Sequence, residues 1–461
     1  MNYDIIIIGA GSGGLNIAGF MNKAGFKVLL IDKSEKNIGG DCLNFGCVPS
    51  KALIHLSKIV HQGKEAKRFG LNVKGEVNMK KVKDYIRQKQ GVIREHENAD
   101  HFRKEGIDVE LGEASFASKN SIEINGQEHK AKNIVIATGS RPRKLNTPGI
   151  EKIDYLTNEN IFDLEKLPKR LLIVGGGPVG IELGQAFNRL GSIVTVVQRG
   201  NHFLPKEKKE ITDLLLAKLK GEGMQFYFDT TPKEFKKNEL VTEEGSSIKF
   251  DKVLVSVGRE PEFASLRPEK AGIKVDNGKI RVNNKLQTTN KKVYLCGDIA
   301  GGPKFTHAAE LHAGVIIQNL LSPVGKKLTY DNFSWVTFTD PEIATFGLVE
   351  ETLKQRKINY EKFEYDLCDD DRAIVDDFRN GKIILYISKG KIMGGTLLAE
   401  NAGELMQELV LANSSKLDIK NIFNKIYAYP TASRINKKVI SNFFSKRLTK
   451  RTKTILRWLY G

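Results

Sequence analysis

The stretch Ile5-Ile6-Ile7-Ile8-Gly9-Ala10-Gly11-Ser12-Gly13-Gly14 decides the fold. Four consecutive β-branched apolar residues make a buried strand, and a helical pattern begins at Leu15 directly after the glycines. Strand, GxGxxG turn and helix in that order let a pyrophosphate approach the backbone at Gly9, Gly11 and Gly14. The amides and dipole of the helix N-terminus there favour its negative charge. A second strand, Val28 to Ile31, ends at Asp32, placed to accept hydrogen bonds from an adenosine ribose. Glycines alone would mark only a tight turn; with the second strand and its terminal acid they specify a Rossmann-like unit.

The same plan recurs downstream. A strand from Leu171 to Val174 runs into Gly175-Gly176-Gly177-Pro178-Val179-Gly180 and a helix through Arg189. Gly9 to Asp32 is 23 positions and Gly175 to Gln198 is also 23, so Gln198 stands in the slot that Asp32 fills in the first unit. An acid there would repel a 2′-phosphate, whereas neutral Gln198 followed by Arg199, with His202 and Lys206 near, accommodates one. Gly175, Gly177, Gly180, Gln198 and Arg199 are therefore read as the nicotinamide-dinucleotide side, with NADPH favoured and NADH left open.

A chain of 461 residues exceeds one ordinary hydrophobic core, and about three domains are expected. The formal net charge of +18 admits a polyanionic partner or plain solubility. No nucleic-acid partner and no resident metal are expected. The chain enters a strand at once with no signal peptide, and no run approaches the roughly 20 apolar residues of a membrane span, so a cytoplasmic protein is expected.

Gly39 to Lys51 reads G-G-D-C-L-N-F-G-C-V-P-S-K and holds two of the four cysteines. Cys42 and Cys47 are close enough for a small closed loop, while Cys296 and Cys368 are scattered, which does not suggest a secreted disulfide framework. The pair is read as redox-active, against the alternative of a structural disulfide. These thirteen residues resemble the redox segment of the pyridine nucleotide-disulfide oxidoreductases, whose members include glutathione reductase, dihydrolipoamide dehydrogenase and mercuric reductase.

The resemblance implies an α/β homodimer with two Rossmann-like domains, for FAD and NAD(P), and a C-terminal α+β dimerisation domain. It implies that Cys42 exchanges with the acceptor, that Cys47 makes a charge-transfer contact with flavin, and that Lys51 pairs with Glu182 beside the flavin. It places Gly40, the turn Thr138-Gly139-Ser140, Asp298 and Ala308 against FAD, and Gly258 at the exit of the nicotinamide lobe. Boundaries are expected at 1–147 and 265–333 for the FAD domain, 148–264 for the NAD(P) domain, 334–445 for the interface domain and 446–461 for a basic tail.

Two features depart from that family. Its disulfide-reducing members carry a C-terminal H-P-T-x-x-E whose histidine moves protons at the exchange thiol; here the run is Tyr429-Pro430-Thr431-Ala432-Ser433-Arg434. His312 is the last histidine, and the final 149 residues hold none. A tyrosine titrating near 10 is a poor proton carrier at pH 7. Mercuric reductases share the tyrosine but typically add a C-terminal cysteine pair, which this chain lacks. The second feature is Lys437 to Gly461, with eight basic residues, no acid, and apolar residues at near-helical spacing. It suits an anionic membrane surface, or a solvated face with its first half packed in the dimer. The expected function is electron transfer from NAD(P)H through FAD and Cys42–Cys47 to a disulfide or metal ion. A membrane-surface quinone reductase and a non-turnover flavin redox sensor are the alternatives.

Overall fold

The Ile5–Ile8 run lies inside β1 (Asn2–Ile8), and each of its four side chains is at most 4% exposed. Burying each contributes about 1.5–3 kcal/mol, which fixes this strand at the centre of its sheet. In the computed structural model, which describes residues 2–378 and 380–460, β1 pairs in parallel with β2 (Val28–Asp32), and β2 with β3 (Asp108–Leu111). β4 (Ser115–Ser118) and β5 (Ser121–Ile124) form an antiparallel meander into β6 (Gln127–Ile136), which returns parallel to β1 on its other side. Both faces of the parallel strands are buried, as their unbroken apolar sequences require.

The chain leaves β1 for α1 (Ser12–Lys23) through a turn that only glycine fits. Gly9 has φ +109°, and a Cβ on it would come within 2.4 Å of the Ala137 carbonyl oxygen; one on Gly14 would meet the Gly9 oxygen at 1.9 Å. After β2 come α2 (Gly40–Asn44), α3 (Cys47–Glu65) and α4 (Met79–Arg94).

The second glycine turn joins β8 (Arg170–Val174), which follows the short β7 (Ser140–Pro142), to α5 (Pro178–Leu190). β8 is flanked in parallel by β9 (Ile193–Val197) and β10 (Lys252–Val255). β10 is followed by β11 (Arg259–Pro261), antiparallel to β7. β12 (Val293–Leu295) then rejoins the first sheet beside β6 and leads towards α6 (Thr306–Leu321).

By compactness the residues up to 197 group with Thr230–Leu328, and Gln198–Asp229 group with the residues from 329 on. The second unit is built on a five-stranded antiparallel sheet. Its order is β13 (Ser334–Thr337), β14 (Glu342–Gly347), then Lys391–Ala399, Lys382–Ser388 and Glu361–Asp366. Buried Glu207 ties Gln198–Asp229 to this sheet, accepting hydrogen bonds from Trp335 Nε1 and Thr345 Oγ1. The basic C-terminal stretch divides in two. α7 (Arg434–Lys446) buries Ile435, Val439, Ile440 and Phe443 in the core of this unit, whereas α8 (Lys450–Tyr460) buries no residue.

Candidate active site

Cys42 lies in α2 and Cys47 is the first residue of α3, so the two thiols flank a break at Phe45-Gly46. Both are free thiols. The Cys42 thiol hydrogen-bonds to Cys47, and that donor is the main reason the Cys47 thiol falls to about 6. Burial opposes the shift; the Thr306 hydroxyl, 3.4 Å from the sulfur, and the charge of Lys51 assist it. Cys42 moves the other way, because its proton is held by its neighbour and burial disfavours its anion. The hydrogen bond therefore favours the proton on Cys42 and the negative charge on Cys47.

Lys51 sits one turn beyond Cys47 on α3, the spacing at which helical side chains share a face. Its Nζ donates to Glu182 Oε2 at 2.8 Å from across α5. Glu182 is buried, so a cation is needed to offset the loss of its hydration. Lys51 thus serves a buried carboxylate on one side and the Cys47 thiolate on the other.

The glycine turn and the redox loop are in direct backbone contact. A Cβ on Gly40, whose φ is +61°, would stand 2.6 Å from Gly11 Cα, and the Gly39 N–H donates to the Ala10 carbonyl at 2.9 Å. Asp32 accepts from the Ala10 N–H at 2.7 Å and the Lys33 N–H at 2.7 Å, while burial pushes its carboxyl up. Beyond β6, the Thr138 hydroxyl donates to the Glu262 carbonyl, Gly139 has φ +70° with open space above it, and the Ser140 hydroxyl donates to Asp298. Ala308 is buried in the first turn of α6. A bare turn at a helix N-terminus, a half-buried carboxylate at the next strand end and a second acid, Asp298, held by the Ser140 hydroxyl fit a flavin dinucleotide. Gly9, Gly11, Gly14, Asp32, Gly40, Ser140 and Asp298 are the residues that would hold it.

The second glycine turn repeats the first in detail. Gly175 has φ +110° and would strike the Ser256 oxygen at 2.5 Å if it bore a Cβ, Gly180 would meet the Gly175 oxygen at 2.3 Å, and Gly177 is open at the start of α5. Gly258, with φ +110°, opens the turn into β11. Gln198, Arg199 and Tyr429 belong to the second unit. There the Gln198 N–H donates to Tyr227 O, Arg199 is exposed, and Tyr429, 66% exposed, lies under the Arg434 guanidinium at 5.0 Å.

Two clamps on the redox loop have no counterpart in the sequence analysis. On one side Arg259 donates to Asp41 Oδ1 at 3.0 Å, to the Ser140 carbonyl at 2.6 Å and to Asn158 Oδ1 at 3.1 Å. Asn158 donates in turn to Asp41 Oδ1 and to the Phe45 carbonyl, both at 3.2 Å. Burial pushes the Asp41 carboxyl up against the opposing charge of Arg259. On the other side buried Gln90 of α4 donates to the carbonyls of Leu43 at 2.8 Å and Asn44 at 3.0 Å. Asn44 donates to Ile38 and Gly40, and Arg94 donates to Asn44. Arg259 directly follows the turn residue Gly258, whereas Gln90 and Asn158 lie in stretches with no motif.

A family model described as pyridine nucleotide-disulphide oxidoreductase matches residues 3–313, and a second, its dimerisation domain, matches 333–439. The chain belongs to this family. Among its relatives, mercuric reductase of Lysinibacillus sphaericus is 34% identical over 93% of this chain and 80% of that protein. Dihydrolipoyl dehydrogenase of Thermus scotoductus is 34% identical over 94% and 95% respectively. Among solved structures, the HOCl-induced flavoprotein disulfide reductase RclA from Escherichia coli superposes with a TM-score of 0.85 at 26% identity, covering 95% of this chain and 99% of that one. RclA has also been solved as a Cu(II) complex. This oxidoreductase therefore uses FAD and NAD(P)H, with a disulfide or metal ion as the acceptor class. Its dimerisation domain supports a homodimer. Among the described residues no helix is long and apolar enough to cross a membrane.

Proposed function

We propose that the enzyme passes two electrons from NADPH through Cys42 and Cys47 to a thiophilic metal ion captured by Cys42, with a disulfide as the competing acceptor. The observation that carries this reading is Tyr429 with Arg434 over its ring, in place of a titrating histidine and its acid. Metal capture needs thiolates, whereas disulfide exchange needs a proton delivered to a leaving sulfur. FAD, when bound, supplies the hydride chemistry that links the nicotinamide to the thiol pair. The protein's own part is to hold Cys47 as a thiolate through Cys42, Thr306 and Lys51, and to keep the loop in place by its two clamps. With Hg(II), the metal takes two electrons as the Cys42–Cys47 bond forms, and the Cys42 proton is released. Cu(II), a one-electron acceptor, takes two equivalents per disulfide. Gln198 and Arg199 support NADPH as the donor.

The test is NADPH oxidation by the holoenzyme with thiol-complexed Hg(II), Cu(II), lipoamide, glutathione disulfide and a soluble quinone. Metal-dependent turnover that Cys42→Ala abolishes is expected. Faster turnover of lipoamide or glutathione disulfide would replace the metal with a disulfide, and quinone turnover surviving Cys42→Ala would remove the thiols from the route.

A second element of the proposal concerns α8. Lys450, Lys453 and Arg457 share one side of this helix and Ile455, Leu456 and Leu459 the other, and Trp458 is 81% exposed. No acid lies in Lys437–Gly461. Each basic residue adds about 1 kcal/mol at an anionic bilayer, which supports peripheral attachment there. Co-sedimentation with phosphatidylserine vesicles should be lost on truncation after Ser445; equal binding by the truncated enzyme would refute attachment through α8.

A further inference from the structure

We propose that neutral His312 is the positioning residue that holds the turn Gly297–Ala300, and with it Asp298, in place for FAD. The proposal rests on Asp298 as a flavin contact and is independent of which acceptor the enzyme reduces. His312 has no part in the electron route, and a polar ring buried in the core must be satisfied by what it holds.

His312 lies in α6 and is 0% exposed. Its Nδ1 accepts from the Gly297 N–H at 3.1 Å, directly before Asp298. Three residues earlier on α6, the Ala309 carbonyl accepts from the Cys296 thiol at 3.5 Å. Cys296 and Gly297, consecutive in the chain, are thus pinned to one face of α6, where residues three apart are neighbours. From the other side α1 closes the contact: a Cβ on Gly13 would stand 2.5 Å from Cys296 Sγ and 3.4 Å from Ala309 Cβ. The path from β12 to Asp298 is therefore set by α6, whose first residue, Thr306, stands 3.4 Å from Cys47 Sγ.

A ring nitrogen that accepts carries no proton, so the proton of His312 sits on Nε2 and the imidazole is neutral. Protonation would put a second N–H at Nδ1, facing the Gly297 N–H, and the bond would become a clash of two donors. Burial accordingly pushes the imidazole down from 6.5 to about 4, against the pull of Asp298 and the Gly297 N–H. The titratable groups around the ring are Asp298 and the Cys296 thiol, which burial raises to about 12 and so keeps a neutral donor. On α6 itself His307 and Glu310 are exposed, and α1, packed on α6, carries no titratable side chain before Lys23.

Flavin retention is thereby linked to pH. With the turn held, the ring takes a proton only near 4; with the turn released, it takes one at its ordinary 6.5. Between those values the released state binds the extra proton. The hold is complete above 6.5 and weakens as pH falls towards 4.

The test measures FAD dissociation from the holoenzyme, followed by flavin fluorescence at a fixed potassium bromide concentration, for wild type, His312→Asn, His312→Leu and Asp298→Ala. Wild type should bind FAD about 30-fold more weakly at about pH 5 than at about pH 8, the ratio for a released ring that titrates at 6.5. His312→Asn sets an amide oxygen where Nδ1 accepts and cannot titrate. It should hold FAD like wild type at about pH 8 and lose most of the acid dependence. His312→Leu strands the Gly297 N–H and should weaken FAD about tenfold at about pH 8. An acid dependence in His312→Asn within about twofold of wild type, or wild-type affinity in His312→Leu, overturns the proposal. Wild-type affinity in Asp298→Ala overturns the route through Asp298. If His312→Leu does not fold, the comparison of wild type with His312→Asn still decides.

Discussion

Removing the Cys42 thiol tests the charge state of the redox pair most directly. In Cys42→Ala the Cys47 thiolate loses the hydrogen bond that chiefly holds it down, while Thr306 and Lys51 remain. A hydrogen bond to a charged group contributes about 1.5–3 kcal/mol, and about 1.4 kcal/mol corresponds to one pH unit in an ionisation midpoint. The Cys47 midpoint should therefore rise by about one to two pH units from its native value of about 6. At pH 7 the thiolate fraction would fall from about nine-tenths to between about one-tenth and one-half. The sign follows from the depressed native midpoint: the thiolate is present above about 6 and is lost as pH falls through it. The assay is the pH dependence of Cys47 alkylation in the variant, against the four-electron-reduced wild type under anaerobic conditions. Cys42→Ser, which keeps an O–H donor, should move the midpoint less than Cys42→Ala does. A midpoint for Cys42→Ala within about 0.3 of wild type, roughly the scatter of such a titration, would mean that Lys51 or the start of α3 sets the thiolate and would refute the hydrogen-bond account.

Other substitutions test the frame around the pair. Gly40→Ala forces a Cβ to 2.6 Å from Gly11 Cα at a left-handed backbone, so FAD release on mild heating should occur several degrees lower; an unchanged release temperature would contradict the contact. Gln90→Ala strands the Leu43 and Asn44 carbonyls and should cost about 1–3 kcal/mol in urea unfolding of the holoenzyme, with an altered thiol reduction potential as the second readout. Glu182→Leu leaves Lys51 without its 2.8 Å partner; because Lys51 is 36% exposed, the loss should be about 1–2 kcal/mol rather than that of a fully buried pair. Gln198→Glu should reduce the preference for NADPH over NADH, measured as the ratio of kcat/KM values, and an unchanged ratio would remove Gln198 from cofactor selection.

What the sequence by itself determined follows from local chemistry. Unbroken apolar strands and glycines at fixed spacing dictate two strand–turn–helix units, because no other residue tolerates the left-handed φ of Gly9 and Gly175 or the backbone contacts behind Gly14 and Gly180. The CxxxxC segment was legible through its thirteen-residue resemblance to a redox motif, and only Lys51, one helical turn beyond Cys47 on α3, follows from local geometry. The tertiary structure alone decided which distant groups converge on that segment. Gln90, Asn158 and Arg259 come from three separate stretches, and each acts by hydrogen bonding across a fold contact that leaves no periodic trace in the chain. It also separated the C-terminal basic run into a packed helix and an exposed one. Composition treats the two alike, but only α7 carries apolar residues at positions that meet the core of its unit.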